Sequence, residues 1–388
     1  MTELHEVPEV NEVNEVNEVP EVNEYMKPCI KHELLRTKYM TRCHDYIRGL
    51  TDKRDTQLEL IKSLSAMILM EKSFSEESRR YDPLIPTFSC PISYSQFKKE
   101  SEFKLRTLYK DQSIPYEERL ESIEYIIEPN EYFETLKSIF ADFVNKRDRI
   151  NVIRDDYIIR EVCKRPRNIV KYYCGPDDDF LFTITIDIYN KLKDRYYQSM
   201  DMTPKKIFDY DLHTLIIVLI LRYRSVSEGK ADGLQWSIDT KIMEDIQWDL
   251  NVAFELFGSP INVHQLNGFC SVFPDIDSYF GSSGSYIDNI SSISGMIHAN
   301  PPFTEPFQDN FAENIISELD KNDRPLGIFG VIANWDDSVG YKMIDQCKYL
   351  CSKHIGKSVF ESKMKNKRHT DLIFDVYHFL LMNDKMKD

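Results

Sequence analysis

Past Gly233 the sequence alternates between two kinds of text. Short apolar runs, "NVAFELFG" (251–258), "FCSVF" (269–273), "GMIHA" (295–299) and "PLGIFGVIANW" (325–335), read as strands. Between and after them, "EPFQDNFAENIISELDK" (305–321) and "YKMIDQCKYLCSKH" (341–354) carry helical spacing. Strands that alternate with helices bury both faces most readily as a largely parallel sheet between helical layers, an α/β unit. Ligands of such sheets gather beyond the carboxyl ends of the strands. This constraint singles out residues 300–303, Asn-Pro-Pro-Phe, which follow the run ending at Ala299. Two prolines cannot continue a hydrogen-bonded ladder, so a strand reaching Ala299 ends there.

Residues 26–235 read mainly as helices. "DTQLELIKSLSAMILMEKS" (55–73) sets Leu58, Ile61, Leu64, Ser65 and Ile68 on one stripe, with Asp55 as cap, and "PYEERLESIEYII" (115–127) repeats the pattern. "DYDLHTLIIVLILRYRS" (209–225) is apolar all round, which predicts a helix buried on several sides. The Pro-punctuated "DPLIPTFSCPIS" (82–93) reads as a connector. The organisation expected is an α-helical domain over 26–235 and a Rossmann-like domain over 236–388. The first 25 residues repeat Val every third position beside Glu. That spacing fits neither strand nor sustained helix, and they read as a disordered low-complexity tail.

Charge does not decide the partner. The net charge is -15, but eight Glu fall within residues 1–25, where no Lys or Arg offsets them. The remaining chain can still hold a local basic groove. Two stretches are basic: 145–173, interleaved with aromatics, and 357–369, with Lys357, Lys363, Lys365, Lys367 and Arg368 against one Glu. Either would attract nucleic acid; either could equally be a solvated face. Eight Cys without a regular framework fit a reducing compartment. "LIIVLIL" (215–221) is far too short to span a bilayer, and the N-terminus has no basic start or apolar core, so a soluble intracellular protein with no membrane partner is expected, nucleus or cytoplasm open. Cys347, Cys351 and His354 fall at helical spacings, but a structural zinc wants four ligands and no second pair appears, so no metal is expected.

Asn-Pro-Pro-Phe suits transfer to an exocyclic amino group. Such a nitrogen is a poor nucleophile because its lone pair is delocalised into the ring. Two acceptors on its hydrogens favour a pyramidal nitrogen. The Asn300 side-chain oxygen and the Pro301 carbonyl are acceptors that need not ionise. Pro301 and Pro302 fix φ and hold them in place, while Phe303 can stack on an extracted base. The plain alternative is a turn, since Asn-Pro and Pro-Pro are common turn dipeptides.

The preceding segment "FELFGSPINVHQLNGFCSVFPDIDSYFGSSGSYID" (254–288) adds ordered motifs: a Ser-Pro-x-Asn corner, a Phe-Pro-Asp-x-Asp segment and a Phe-Gly-Ser loop. With Asn-Pro-Pro-Phe at this spacing the set resembles the phosphorylated-CTD-interacting-factor family, the cap-specific adenosine N6-methyltransferases. "LILRYRS" (219–225), "GLQWSI" (233–238), Trp335 and "FDVYHFLLMND" (374–384) are similar as well. The resemblance implies a Rossmann-like fold and methyl transfer from S-adenosylmethionine to N6 of the 2′-O-methyladenosine next to the 7-methylguanosine cap of mRNA. It implies that Asn300 and Pro301 orient N6 and that Phe303 stacks. Phe257, Ser259, Pro260 and Asn262 would line the methionine end of the cofactor, and Asp275 or Asp277 would hold the ribose, with Phe280 and Gly281 nearby. Trp335, Lys363, Lys365 and Arg368 would meet the capped RNA 5′ end. Three departures stand out. Ala333-Asn334 replaces Pro-Glu before Trp335, and Ser283 replaces an Arg. The Glu-Val-Asn tail occupies the place of a WW domain, so the chain is expected to lack that domain, which puts polymerase-tail binding in doubt. The alternatives are an amino-group methyltransferase acting on DNA adenine or protein glutamine, or an inactive cap-binding scaffold.

Overall fold

The computed structural model describes residues 28–50, 130–147, 169–174, 179–202, 210–226, 235–264, 266–321, 323–362, 367–369 and 375–387, with Gln57, Leu60 and Ser101 besides. The expectations for 1–25 and 82–93 lie outside these residues, as do those for 55–73 and 115–127 apart from Gln57 and Leu60.

The first part is a helical layer with a hairpin in it. Helices α1 (Ile30–Gly49), α2 (Asn130–Arg147), α3 (Ile186–Met202) and α4 (Leu212–Val226) accompany strands β1 (Ile169–Cys174) and β2 (Asp179–Thr185). Asp211 opens α4, its carboxylate accepting from the His213 and Thr214 amides at 3.0 and 3.1 Å. As the all-apolar text requires, α4 is buried from Leu215 to Tyr223. The hairpin corrects the reading of 26–235 as helical. "IVKYYC" has period-2 alternation, and its buried members Val170, Tyr172 and Cys174 face inward. Tyr172 stacks on Phe182 across the pair, with ring centroids 4.9 Å apart.

From residue 236 the elements are β3 (Trp236–Ile238), α5 (Thr240–Leu250), β4 (Phe254–Glu255), β5 (Gly268–Phe269), α6 (Pro274–Asp277), a 3-10 turn (Ser278–Phe280), α7 (Tyr286–Asn289), β6 (Gly295–Ala299), α8 (Glu305–Lys321), β7 (Leu326–Ala333), α9 (Val339–Asp345), β8 (Leu350–Gly356), β9 (Phe360–Ser362), β10 (Lys367–His369), β11 (Val376–Met382) and α10 (Asp384–Lys387). Six strands form one mixed sheet in the order β5-β4-β6-β7-β11-β8. The first four are parallel, and β11 and β8 add antiparallel. Phe307, Phe311, Ile315 and Leu319 of α8 cover one face, against Ile297, Ile328 and Phe379. Met243 of α5 covers part of the other, with Met296. Gly330 lets the Phe379 ring cross the sheet: a Cβ there would stand 2.0 Å from it. A separate sheet, β10-β9-β3, packs Ile238 and Phe360 on Val331 and Val376. Val376 pairs with Ala333, so this small sheet sits at the carboxyl end of β7.

One expected helix is divided. Of 341–354, α9 ends at Asp345 and Leu350–Gly356 becomes the edge strand β8, because its backbone finds a ladder along β11. Cys347, Cys351 and His354 therefore share no helix face. Among the described residues no helix is long and apolar enough to cross a membrane.

The two parts share a core. Ile261, Phe273, Ile276 and Phe280 pack with the buried residues of α1, α3 and α4. Arg222 of α4 ties them electrostatically: its Nε and Nη2 donate to Glu33 of α1 at 3.0 and 2.7 Å, and its Nη1 donates to Asp275 of α6. All three side chains are buried, and Arg36 pairs with the same Glu33. Removing one partner strands a buried charge. Arg222→Met should therefore cost about 3–5 kcal/mol in urea unfolding with little change in the denaturant slope. A loss under about 1 kcal/mol would contradict a buried network.

Candidate active site

The order β5-β4-β6 means that the chain runs outward from β4 to β5, then returns across β4 to start β6. The direction of winding reverses between β4 and β6, and a crevice opens at their carboxyl ends. The loops after both strands meet there, with the Leu256 amide donating to the His298 carbonyl at 2.9 Å. The third parallel strand joins in, since Cys270 N donates to Glu255 O (2.8 Å) and Gly258 N to Cys270 O (2.9 Å).

Asn300 to Phe303 leave β6 at this point. Pro301 is buried; Asn300, Pro302 and Phe303 are half-buried. Among the described residues nothing takes up the Asn300 carboxamide by hydrogen bond. The Phe303 ring stands edge-on to Phe360 of the small sheet, with centroids 6.1 Å apart. Thr304 N then donates to Pro302 O at 2.8 Å, turning the chain into α8. Trp335 follows the neighbouring strand end, buried, with its amide on Ala333 O at 2.9 Å.

The Ser-Pro-x-Asn corner is a closed buried turn. Ser259 N and Oγ lie 2.7 and 2.9 Å from Asn262 Oδ1, and Ser259 Oγ also reaches Gln235 Oε1 at 2.7 Å. The polar side chains of the corner thus bond one another. Phe257 is held by Tyr286, Phe307 and Phe311 at 4.7–5.5 Å. Gly281 adopts φ 89°, a left-handed conformation that closes the 3-10 turn at Phe280.

Asp275 and Asp277, one or other of which was expected to hold the ribose, each bond the helical layer. Asp275 meets Arg222, and Asp277 accepts from Tyr223 Oη at 2.7 Å. Burial pushes the Asp277 carboxyl up to about 7. Phe280 is fully buried in the shared core. Arg368 lies in β10, opposite Glu361 of β9; Lys363 and Lys365, between those strands, lie outside the described residues.

The crevice also holds groups that sequence reading missed. Glu255 ends β4 and His298 sits one residue short of the end of β6, both buried, with Nδ1 3.8 Å from Oε1. Burial pushes Glu255 up to about 7, against the His264 amide bonded to it and the cations Lys191 and Arg195. Burial holds His298 down at about 3, so it is neutral. Lys191 Nζ donates to Ile261 O (2.8 Å) and to Val263 O, and Arg195 Nη2 donates to His264 O (2.9 Å). An acid closing a strand in "FELFG" and two cations four apart on "YNKLKDRYY" were the available signals, but nothing local says that they meet.

A family model described as the Phosphorylated CTD interacting factor 1 WW domain matches residues 191–369. Two curated relatives, each named mRNA (2′-O-methyladenosine-N(6)-)-methyltransferase, from Mus musculus and Homo sapiens, are 35% identical over 120 residues. The aligned part is 30% of this chain and 17% of each relative's length. Both findings support the resemblance drawn from the motifs. They also correct it: a region matched under the WW-domain description is present, so the expected lack of that domain falls, and with it the doubt about polymerase-tail binding.

Glu255 carries the prediction for this site. Its folded pKa is raised above the unfolded value, so its contribution to stability is present below about pH 4.5 and is lost as pH rises through about 7. Glu255→Gln keeps an acceptor for the His264 amide and removes the titration. Its stability relative to the parent should improve steadily from pH 5 to pH 8 in urea unfolding. A difference that does not change with pH would show that Glu255 is not perturbed.

Proposed function

We propose that this chain is an S-adenosylmethionine-dependent methyltransferase acting on N6 of the 2′-O-methyladenosine next to the 7-methylguanosine cap of mRNA. The observation that carries the reading is the position of Asn300–Phe303, at the carboxyl end of β6 and beside the end of β4, where the winding of the sheet reverses. The names of the two relatives supply the substrate. In this reading residues 236–388 form a Rossmann-like methyltransferase domain, 26–235 an accessory domain, mainly helical, and 1–25 a dispensable tail.

The crevice suits the cofactor in kind. The corner's polar side chains are bonded among themselves, the 257–260 backbone borders the crevice in this reading, and Phe257 is fixed at its mouth. When bound, the cofactor supplies a methyl group on a sulfonium sulfur. Asn300 Oδ1 and the Pro301 carbonyl accept the two N6 hydrogens and hold the nitrogen lone pair toward that methyl. Neither acceptor changes protonation; the proton that N6 sheds once methylated passes to water. Pro301 and Pro302 remove the freedom that would blur this geometry. Phe303 stacks on the base, worth about 1–3 kcal/mol, and Trp335 bounds the pocket from the next strand end. Lys363, Lys365 and Arg368, in the basic stretch 357–369, take the phosphates of the capped end.

The test is methyl transfer from labelled S-adenosylmethionine to capped and uncapped RNAs that begin with adenosine. Labelled N6-methyladenosine on the capped RNA alone is expected. Labelling of both would remove the cap from the proposal, and labelling of neither would overturn it. Asn300→Ala should lower kcat by about a hundredfold or more while cofactor affinity stays within about twofold. Parallel loss of both would assign Asn300 to folding.

A further inference from the structure

The segments on either side of β5 that adjoin the proposed cofactor side are bonded by the helical layer. Arg222 and Tyr223 of α4 hold Asp275 and Asp277, and Ser199 of α3 reaches the Ser278 carbonyl at 3.2 Å. The densest contact is on the loop that continues from the Ser-Pro-x-Asn corner. Ile261, Val263 and His264 are buried, and their carbonyls accept from two cations of α3, that of His264 also from the Leu266 amide at 2.8 Å. Lys191 spans two of the three and Arg195 takes the third. The Arg195 guanidinium also lies over the Phe269 ring at 5.1 Å, on the last residue of β5. The same loop is held on its inner side by Glu255, through the His264 amide at 3.3 Å. A loop with no regular secondary structure is thus fixed by charge-assisted bonds from one helix and one strand end.

We propose that Lys191 and Arg195 are positioning residues for the methyl-donor site, acting through the backbone of residues 261–264. This rests on the proposed methyltransferase reading and names the part of it carried by α3. The carbonyls set the path of 261–264, that path sets where Asn262 meets Ser259, and the closed turn sets the backbone of 257–260 at the end of β4. Neither cation is placed in contact with substrate. Their effect falls on cofactor affinity more than on the transfer step, because Asn300 and Pro301 follow β6, which neither cation bonds directly. The held loop meets β6 where the His264 ring lies 6.3 Å from that of His298.

Lys191→Met keeps the length and apolar stem of the side chain and removes its donors. In the full chain its dissociation constant for S-adenosylmethionine, read by calorimetry, should rise about tenfold or more. The KM for capped RNA and the kcat at saturating cofactor should stay within about twofold. Arg195→Met should behave alike, and Arg195→Lys, which keeps a donor, should recover much of the affinity. Leu192→Ala, in the shared core on the same helix, is the control: it should lower the melting temperature and leave cofactor affinity near that of the parent. A parent that binds no cofactor would refute the methyltransferase reading itself. Parent-like affinity in Lys191→Met or Arg195→Met would overturn the positioning role alone. So would equal loss in Leu192→Ala, or failure of both cation variants to fold.

Discussion

Arg222 is where the molecule is most committed. Its guanidinium is buried and meets carboxylates from two segments far apart in sequence, Glu33 and Asp275. The cost of taking these charges out of water is offset only while all of them are present. The two carboxylates hold the Arg222 pKa well above its ordinary value despite burial. The consequence is geometric as much as energetic. The network gives α1, α4 and α6 one mutual placement, and α6 belongs to the connection between β5 and β6. The path from the second parallel strand to the strand that carries Asn300 is therefore anchored outside the sheet.

That anchoring answers a weakness in the sheet. Strands β4 and β5 are two residues long, so few ladder bonds fix the loops that follow them. In β6 and β7, five and eight residues long, the ladder itself fixes the exits. The short strands are where outside bonds collect: Lys191, Arg195, Ser199, Arg222 and Tyr223 all reach loops around β4 and β5. The long strands carry the prolines and the tryptophan. Rigidity at the two sides of the crevice is thus supplied by different means, covalent restraint beside β6 and buried polar bonds beside β4.

How much of this was legible in the sequence follows from the range of the interactions. Strand β6 and helix α8 were read within a residue, because period and proline are local signals. Ser-Pro-x-Asn was found through its resemblance to a family motif, and its bonding partners turn out to lie three residues apart. Asp275 and Asp277 were found as motif letters, but their partners on α1 and α4 were not, because no spacing connects residue 33 to 222 or 275. Tertiary pairing likewise overrode local period in "LCSKHIG" of β8, where helical spacing loses to the free edge of β11. The β1–β2 hairpin was missed for a different reason. Its alternation is visible in "IVKYYC", but it closes a run of charged text that reads as a helix face.

The site and its scaffold respond differently to protons. Asn300 and the Pro301 carbonyl do not titrate, so in the proposed reading the transfer geometry is indifferent to pH. The packing beneath it is not. Glu255 and Asp277, both raised to about 7 by burial, withdraw stability as pH rises from the ordinary carboxylate range to neutrality. His298, held at about 3, and His378, held at about 4, add stability over the rise to about pH 6.5, since below that the unfolded chain takes up protons that the buried rings refuse. The two sets oppose each other through the acidic range. Above about pH 6.5 the histidines have nothing left to add, and only the buried acids still pull. Ionising Glu255 then places a buried charge at the end of β4, where the His264 amide and the cations Lys191 and Arg195 favour it against the cost of burial.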